Sequence, residues 1–313
     1  MTKEQIQALI DSAISGQGNQ VDIGGVLPNI FSGIMELADE KFSILQTELG
    51  INLDPNLDEK YYEYFTIEAK EDGTTVYFRQ SSYASDDGLD ALKVEVSTDG
   101  GETWEEKTAS VAEDDVPGTV IATLDAGEKI LIRGTNKAYG YFSDNEGEGI
   151  ENCNFYADGP CYVYGNIMSL VEGDDFARFI KVEDYAFIYL FSDYDDVLDH
   201  SWVLSKDGEE LLLPATTLAQ GCYNFMFYGC TGLTEAPALP ATTLAPNCYN
   251  NMFNGCTKLA KVTCLATDIS ASAATAFWLL NVAAAGTFTK AAGVNWSTGA
   301  NGIPNGWTVE EAA

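Results

Sequence analysis

The stretch LPATTLAQGCYNFMFYGCTGLTEAPA, Leu213 to Ala238, is followed without a gap by LPATTLAPNCYNNMFNGCTKLAKVTC, Leu239 to Cys264. No other feature constrains the fold as strongly. One such unit cannot bury its apolar face alone, whereas a stack of units can. Phe227 and Phe253, Leu233 and Leu259, and Leu218 and Leu244 recur in phase, so ladders through a shared core are expected. A degenerate earlier copy, YAFIYLFSDYDDVL (Tyr185 to Leu198), aligns with Gly221 to Thr234 at an offset of 36, the insertion between them carrying SKDGEE. A fading later copy runs from Leu265 to Lys290. Four units, atypical at both ends, read as a capped stack. Within a unit, CYNFMFYGC reads as a helix-like segment and LTEAPALPATTL as a turn and an extended piece. Trp296 and Trp307, in a Gly/Asn-rich tail, are suited to cover the last open edge.

A repeated active site, a metal cage and a disulfide ladder would also leave a repeated trace, and the cysteines are the residues that could build them. Cys222 and Cys230, and Cys248 and Cys256, lie eight apart within a unit, and Cys153 and Cys161 share that spacing outside it. Structural zinc favours closer pairs, often with histidines, and this chain has one histidine, His200. Seven cysteines is an odd number, and the N-terminus reads as an amphipathic helix rather than a secretion signal, which disfavours stable disulfides. Small, readily buried side chains at fixed points of a repeated core are the expected role. His200, flanked by Asp196, Asp199 and Ser201, is expected in an exposed acidic loop. SDNEGEGIE, Ser143 to Glu151, loosely resembles a calcium loop but lacks the alternating ligands and the closing Glu. No catalytic residue, metal ligand or cofactor is expected, and the chain reads as a binder rather than an enzyme.

Upstream of the repeats the pattern changes. From Tyr61 to about Leu170 short alternating runs (YFTIEA, TTVYFRQ, LKVEVS, TVIATL, KILIRG, NCNFYA, CYVYG) lie between polar turns, which predicts an antiparallel, Ig-like β-sandwich. STDGGETW, Ser97 to Trp104, matches an Asp-box hairpin: Ser97 and Asp99 would bond turn amides, the glycines would take positive φ, and Trp104 would plug the base. With only three arginines in the chain, this box gives sialidase chemistry little support. The first 60 residues read as a helical leader with two apolar stripes, one through Ile6, Leu9 and Ile10 and one through Ile30, Phe31 and Ile34. The expected organisation is therefore multidomain α+β. It comprises a helical anchoring or oligomerisation leader (1–60), a β-sandwich (61–170), a short leucine-rich-repeat-like solenoid (171–290) and a C-terminal cap (291–313).

Charge narrows the partners. The 313 residues carry 48 acidic and 16 basic side chains, a net charge of −32. Such a surface repels phosphate backbones and anionic lipid headgroups, so neither nucleic acid nor membrane is expected as a partner.

The block LPATTLAxxCYxxMFxGCTxL, with GNIMSLVEGDDF (Gly165 to Phe176) before it and GIPNGWTV (Gly302 to Val309) after it, resembles BspA-type leucine-rich-repeat proteins of gut Bacteroidetes and their phages. The segment GQGNQVDIGGVLPNIFSGIMEL is similar to the leader of head-fibre-like proteins of Bacteroides phages, including crAss-like phages. The resemblance implies modular display on a virion folded in the host cytoplasm. The leader, through Ile6, Leu9, Ile10, Ile30, Phe31 and Ile34, would dock on capsid or vertex proteins, the sandwich would act as a spacer, and the solenoid would face outward. A host-surface polysaccharide or protein would be the ligand, and the protein would be a homo-oligomer. A tail fibre or adaptor subunit of the same virion, or a bacterial surface adhesin, are the alternatives. The positions that differ between copies, Phe225 against Asn251 and Tyr228 against Asn254, are the candidate ligand-facing residues.

Overall fold

The structure, a computed structural model, describes residues 46, 48–54, 56–80, 91–111, 117–142, 150–192 and 199–312. The leader, with Ile6, Leu9, Ile10, Ile30, Phe31 and Ile34, lies outside the described residues. The rest is mostly β, with one short α-helix of defined bounds, α1 (Ser169–Glu172).

Two sheets face each other in the first half. One has the order β11–β10–β1–β7–β3–β4, with β12 also on β10. Its strands are β1 (Phe65–Ala69), β3 (Lys93–Ser97), β4 (Glu105–Thr108), β7 (Lys129–Arg133), β10 (Cys161–Asn166), β11 (Val203–Leu204) and β12 (Leu211–Leu212). The other runs β5–β2–β9–β8 with β6 on β2, from β2 (Thr74–Gln80), β5 (Ser110–Val111), β6 (Thr119–Leu124), β8 (Gly140–Phe142) and β9 (Ile150–Ala157). Phe65 and Ile67 share one face of β1 and are fully buried, and Phe65 meets Phe155 of β9 across the gap with ring centroids 5.6 Å apart.

The pairing departs from a purely antiparallel sandwich. β5 pairs with β2 in parallel, and β11 and β12 pair in parallel with β10. The last two flank the SKDGEE insertion, which therefore extends the first sheet. Lys206 of that insertion reaches back to Glu68 of β1 at 2.6 Å and lies 4.8 Å over the Tyr164 ring.

The repeats are built differently from the helix the sequence suggests. In CYNFMFYGC no i→i−4 ladder forms. Cys222, Asn224, Met226, Tyr228 and Cys230 each donate an amide to the residue three back, closing successive tight turns. The alternate amides of Gly221, Tyr223, Phe225, Phe227 and Gly229 donate instead to Pro246, Cys248, Asn250, Met252 and Asn254 in the next copy. Every fourth residue is left-handed: Gly221, Phe225 and Gly229, then Asn247, Asn251 and Gly255, then Ala273, Phe277 and Asn281, with Tyr185 and Tyr189 in the degenerate first copy. A chain turning every four residues presents two side chains inward and two outward in alternation. Over nine residues that period of four looks like the 3.6 of a helix, which is why the segment reads as helical in sequence.

The four copies thus stack as rungs, residues 185–192, 221–230, 247–256 and 273–281. Their inner side chains form two columns. Phe187, Tyr223, Tyr249 and Trp278 stack with centroids 5.6, 6.0 and 6.2 Å apart. Phe191, Phe227 and Phe253 stack at 5.1 and 5.4 Å. The extended pieces add parallel bridges and a three-stranded parallel sheet, β13 (Lys261–Cys264), β14 (Thr287–Lys290) and β15 (Thr308–Glu311). Trp296 stacks on Trp278 at 5.4 Å, and Trp307 is buried with its indole N–H on the Ala283 carbonyl, so both cover the end of the stack. The apolar core passes from the sheets into the rungs without a break, through Phe65 on Phe191 at 5.8 Å and Tyr139 on Phe187 at 6.3 Å.

Candidate recognition face on the stacked repeats

The turn geometry decides what each rung shows to solvent. In the second rung Cys222, Tyr223, Asn224, Met226 and Phe227 are buried, which leaves Phe225 and Tyr228 on the outer side. The third rung places Asn250, Asn251 and Asn254 there, and the fourth places Ala276, Phe277 and Asn281. The four variable positions Phe225, Tyr228, Asn251 and Asn254 therefore share one face, all half-buried.

An aromatic cluster occupies one end of that face. Phe225 stacks on Tyr189 of the first rung, with centroids 4.6 Å apart and planes within 8°, and touches Tyr228 at 5.5 Å. An amide network occupies the other. Asn254 donates to Asn251 Oδ1 at 2.8 Å, Asn251 donates to Asn250, Asn250 donates to Asn247 Oδ1 at 3.3 Å, and Asn281 donates to Asn254 Oδ1 at 3.4 Å. Beyond them Phe277 stands 48% exposed. The face is also free of charge. Residues 219–230, 245–256 and 271–282 contain no Asp, Glu, Lys or Arg, in a chain of which 20% is charged. Comparing the two copies finds Phe225, Tyr228, Asn251 and Asn254 but misses Asn250, Phe277 and Asn281. Asn250 is missed because the preceding copy carries the same residue, Asn224, and the period of four in the fading last copy is the signal that would have found Phe277 and Asn281.

The other chemistry-bearing residues lie elsewhere. All seven cysteines are buried free thiols. Cys256 Sγ donates to the Phe227 carbonyl one rung back at 3.0 Å, and Cys230 Sγ to the Phe191 carbonyl at 3.6 Å. Burial pushes the Cys153, Cys161, Cys248 and Cys264 thiols up to about 12, far from the thiolate that nucleophilic or metal chemistry needs. His200 is not in an exposed loop. It is 4% exposed in a 3-10 turn, His200–Trp202, and packs against Gly229, where any Cβ would lie 3.5 Å from the imidazole. Among the described residues no group of three or more His, Cys, Asp or Glu side chains is placed to hold a metal ion. Ser143 to Gly149 of the acidic stretch lie outside the described residues. No helix among the described residues is long and apolar enough to cross a membrane.

The Asp-box forms a self-contained hairpin between β3 and β4. Asp99 accepts from the Thr103 amide at 2.9 Å and from its hydroxyl, Ser97 Oγ accepts from the Gly101 amide at 2.9 Å, and Gly100 and Gly101 are left-handed. Trp104 lies between Tyr64, at 5.0 Å, and the Arg133 guanidinium, 4.1 Å over its ring. Arg133 also pairs with Glu95 and Asp174, so this cluster is occupied by its own members.

No family model, no curated protein and no solved structure matches the chain.

Proposed function

We propose that the chain is a structural protein of a phage particle, a head fibre that displays a recognition face outward. In this reading the two facing sheets are an Ig-like spacer, and the stacked rungs are a short leucine-rich-repeat solenoid of the BspA type. The leader fastens the protein to capsid or vertex proteins and gathers it into a homo-oligomer. The observation that carries the proposal is the uncharged aromatic and amide face on a chain of net charge −32. A stack sealed by Trp296 and Trp307 at one end and fused to the sheets at the other supports it, because such a stack offers solvent its outer side. Recognition by rigid aromatic anchors and adaptable amides requires no turnover.

The test is co-sedimentation. Particles from a lysate producing the protein are banded on a density gradient and probed with an antibody to the β-sheet region. The protein is expected in the particle band. Its exclusive recovery in the soluble fraction overturns the proposal. Antibody label at the tail rather than the head corrects the location to a tail fibre or adaptor.

A further inference from the structure

The outer left-handed column reads Tyr189, Phe225, Asn251, Phe277, one residue per rung. The amide of Phe225 donates to Asn250 at 3.0 Å and that of Asn251 to Ala276 at 2.8 Å, so the three rungs from Phe225 to Phe277 are in hydrogen-bonded register. Hydrogen-bonded neighbours lie about 4.8 Å apart, which puts Phe225 and Phe277 about 9.6 Å apart along the stack. The residue between them, Asn251, has a side chain too short to fill the interval as a third ring would. One face of the Phe225 ring is taken by Tyr189. Tyr228 meets the same ring at 5.5 Å, tilted by 57°, and the stacking on Tyr189 turns the ring's other face along the column toward Asn251 and Phe277, which is 48% exposed.

We infer that this interval is a binding slot for one sugar ring of a neutral polysaccharide, with Phe225 and Phe277 as walls and Asn251 as floor. The inference deepens the recognition reading given above and rests on it. A ring inserted between two aromatic faces needs van der Waals contact of about 3.5–4 Å on each side, which the interval provides. The floor selects hydroxyl-bearing rings over aromatic ones. Asn251 and its neighbours Asn250, Asn254 and Asn281 are bonded to one another, and each amide keeps a second hydrogen or lone pair for a ligand hydroxyl. Charge excludes the anionic glycans: nothing on the face would pair with a uronate or sulfate, and the field of a −32 chain repels both.

Affinity electrophoresis of the full chain through gels containing laminarin, xyloglucan, galactomannan, xylan, yeast mannan or dextran tests the inference, with polygalacturonate and heparin as anionic probes. Retardation by at least one neutral polysaccharide, unchanged in 0.5 M NaCl, is expected. Asn251→Phe fills the slot with a residue the same backbone position carries at Phe225 and Phe277, so the fold is retained, and it is expected to weaken binding at least tenfold. Phe277→Asn removes a wall and is expected to weaken it by a similar factor. Retardation by none of the neutral probes, salt-sensitive binding to the anionic ones, or undiminished binding by a thermally stable Asn251→Phe protein each overturns the slot. A chain that bands with particles yet binds no neutral probe sinks the slot while leaving the display reading intact. A chain that binds but never bands with particles does the reverse.

Discussion

Phe225 holds φ at 55° and Asn251 at 53°, in a region that costs an ordinary L-residue about 1–2 kcal/mol. The stack tolerates this because each left-handed residue frees an amide to bond the next rung. Relief of the cost at an exposed position should therefore be measurable. Ala273, with φ of 51°, packs nothing essential into the core. Ala273→Gly is expected to stabilise the protein by about 0.5–1 kcal/mol, the strain relieved less the entropy glycine adds to the unfolded chain. A thermal melt would show a small rise in Tm, and a fall would contradict the left-handed ladder. Asp99 supplies a second residue-level test. The Thr103 hydroxyl and amide hold its carboxyl at about 2, below the ordinary 3.8. A depressed carboxylate stabilises the fold above its ordinary value, and that contribution fades as pH falls from about 4 through about 2. In Thr103→Val the hydroxyl donor is lost, so a carboxyl 13C titration should place Asp99 closer to 3.8. A value still at about 2 would remove the hydroxyl as the cause. The hydrogen bonds of this box were legible in STDGGETW because they are local. The left-handed positions were not, since Phe, Asn, Ala and Tyr occupy them as well as Gly, and only the stacked partner compensates such a conformation.

At the scale of elements, the longer β-rich runs between turns were readable to within a residue or two: TTVYFRQ and TVIATL coincide with β2 and β6. The short strands β4, β5, β8, β11 and β12 were not, because two to four residues carry too little pattern and their pairing depends on distant partners. The cysteines show how a repeat element uses its residue types. Cys222, Cys230, Cys248 and Cys256 are buried inward positions of the rungs, and Cys230 and Cys256 bond a carbonyl of the preceding rung. All seven thiols should resist Ellman's reagent in native buffer from pH 7 to 9 and react together on unfolding. Rapid labelling of any one of them before unfolding would contradict their burial.

Across the whole molecule, one core joins the sheets to the rungs, and the SKDGEE insertion clasps them from outside through Lys206 and Glu68. Phe191 is the pivotal side chain of that joint, between Phe65 of β1 and Phe227 of the second rung. Phe191→Ala is expected to cost about 3–5 kcal/mol and to lower one calorimetric transition. Two separated transitions would instead show sheets and rungs unfolding independently. This joint was beyond the sequence, which marked where the patterns changed but not that the first rung packs on the sheets. In the reading proposed above, this continuous body displays the uncharged face of its rungs outward. Electron microscopy of intact particles labelled with an antibody to the β-sheet region tests that most directly. Label on the capsid surface, lost from particles lacking the protein, is the expected result; unlabelled heads on particles made alongside abundant soluble protein would contradict it.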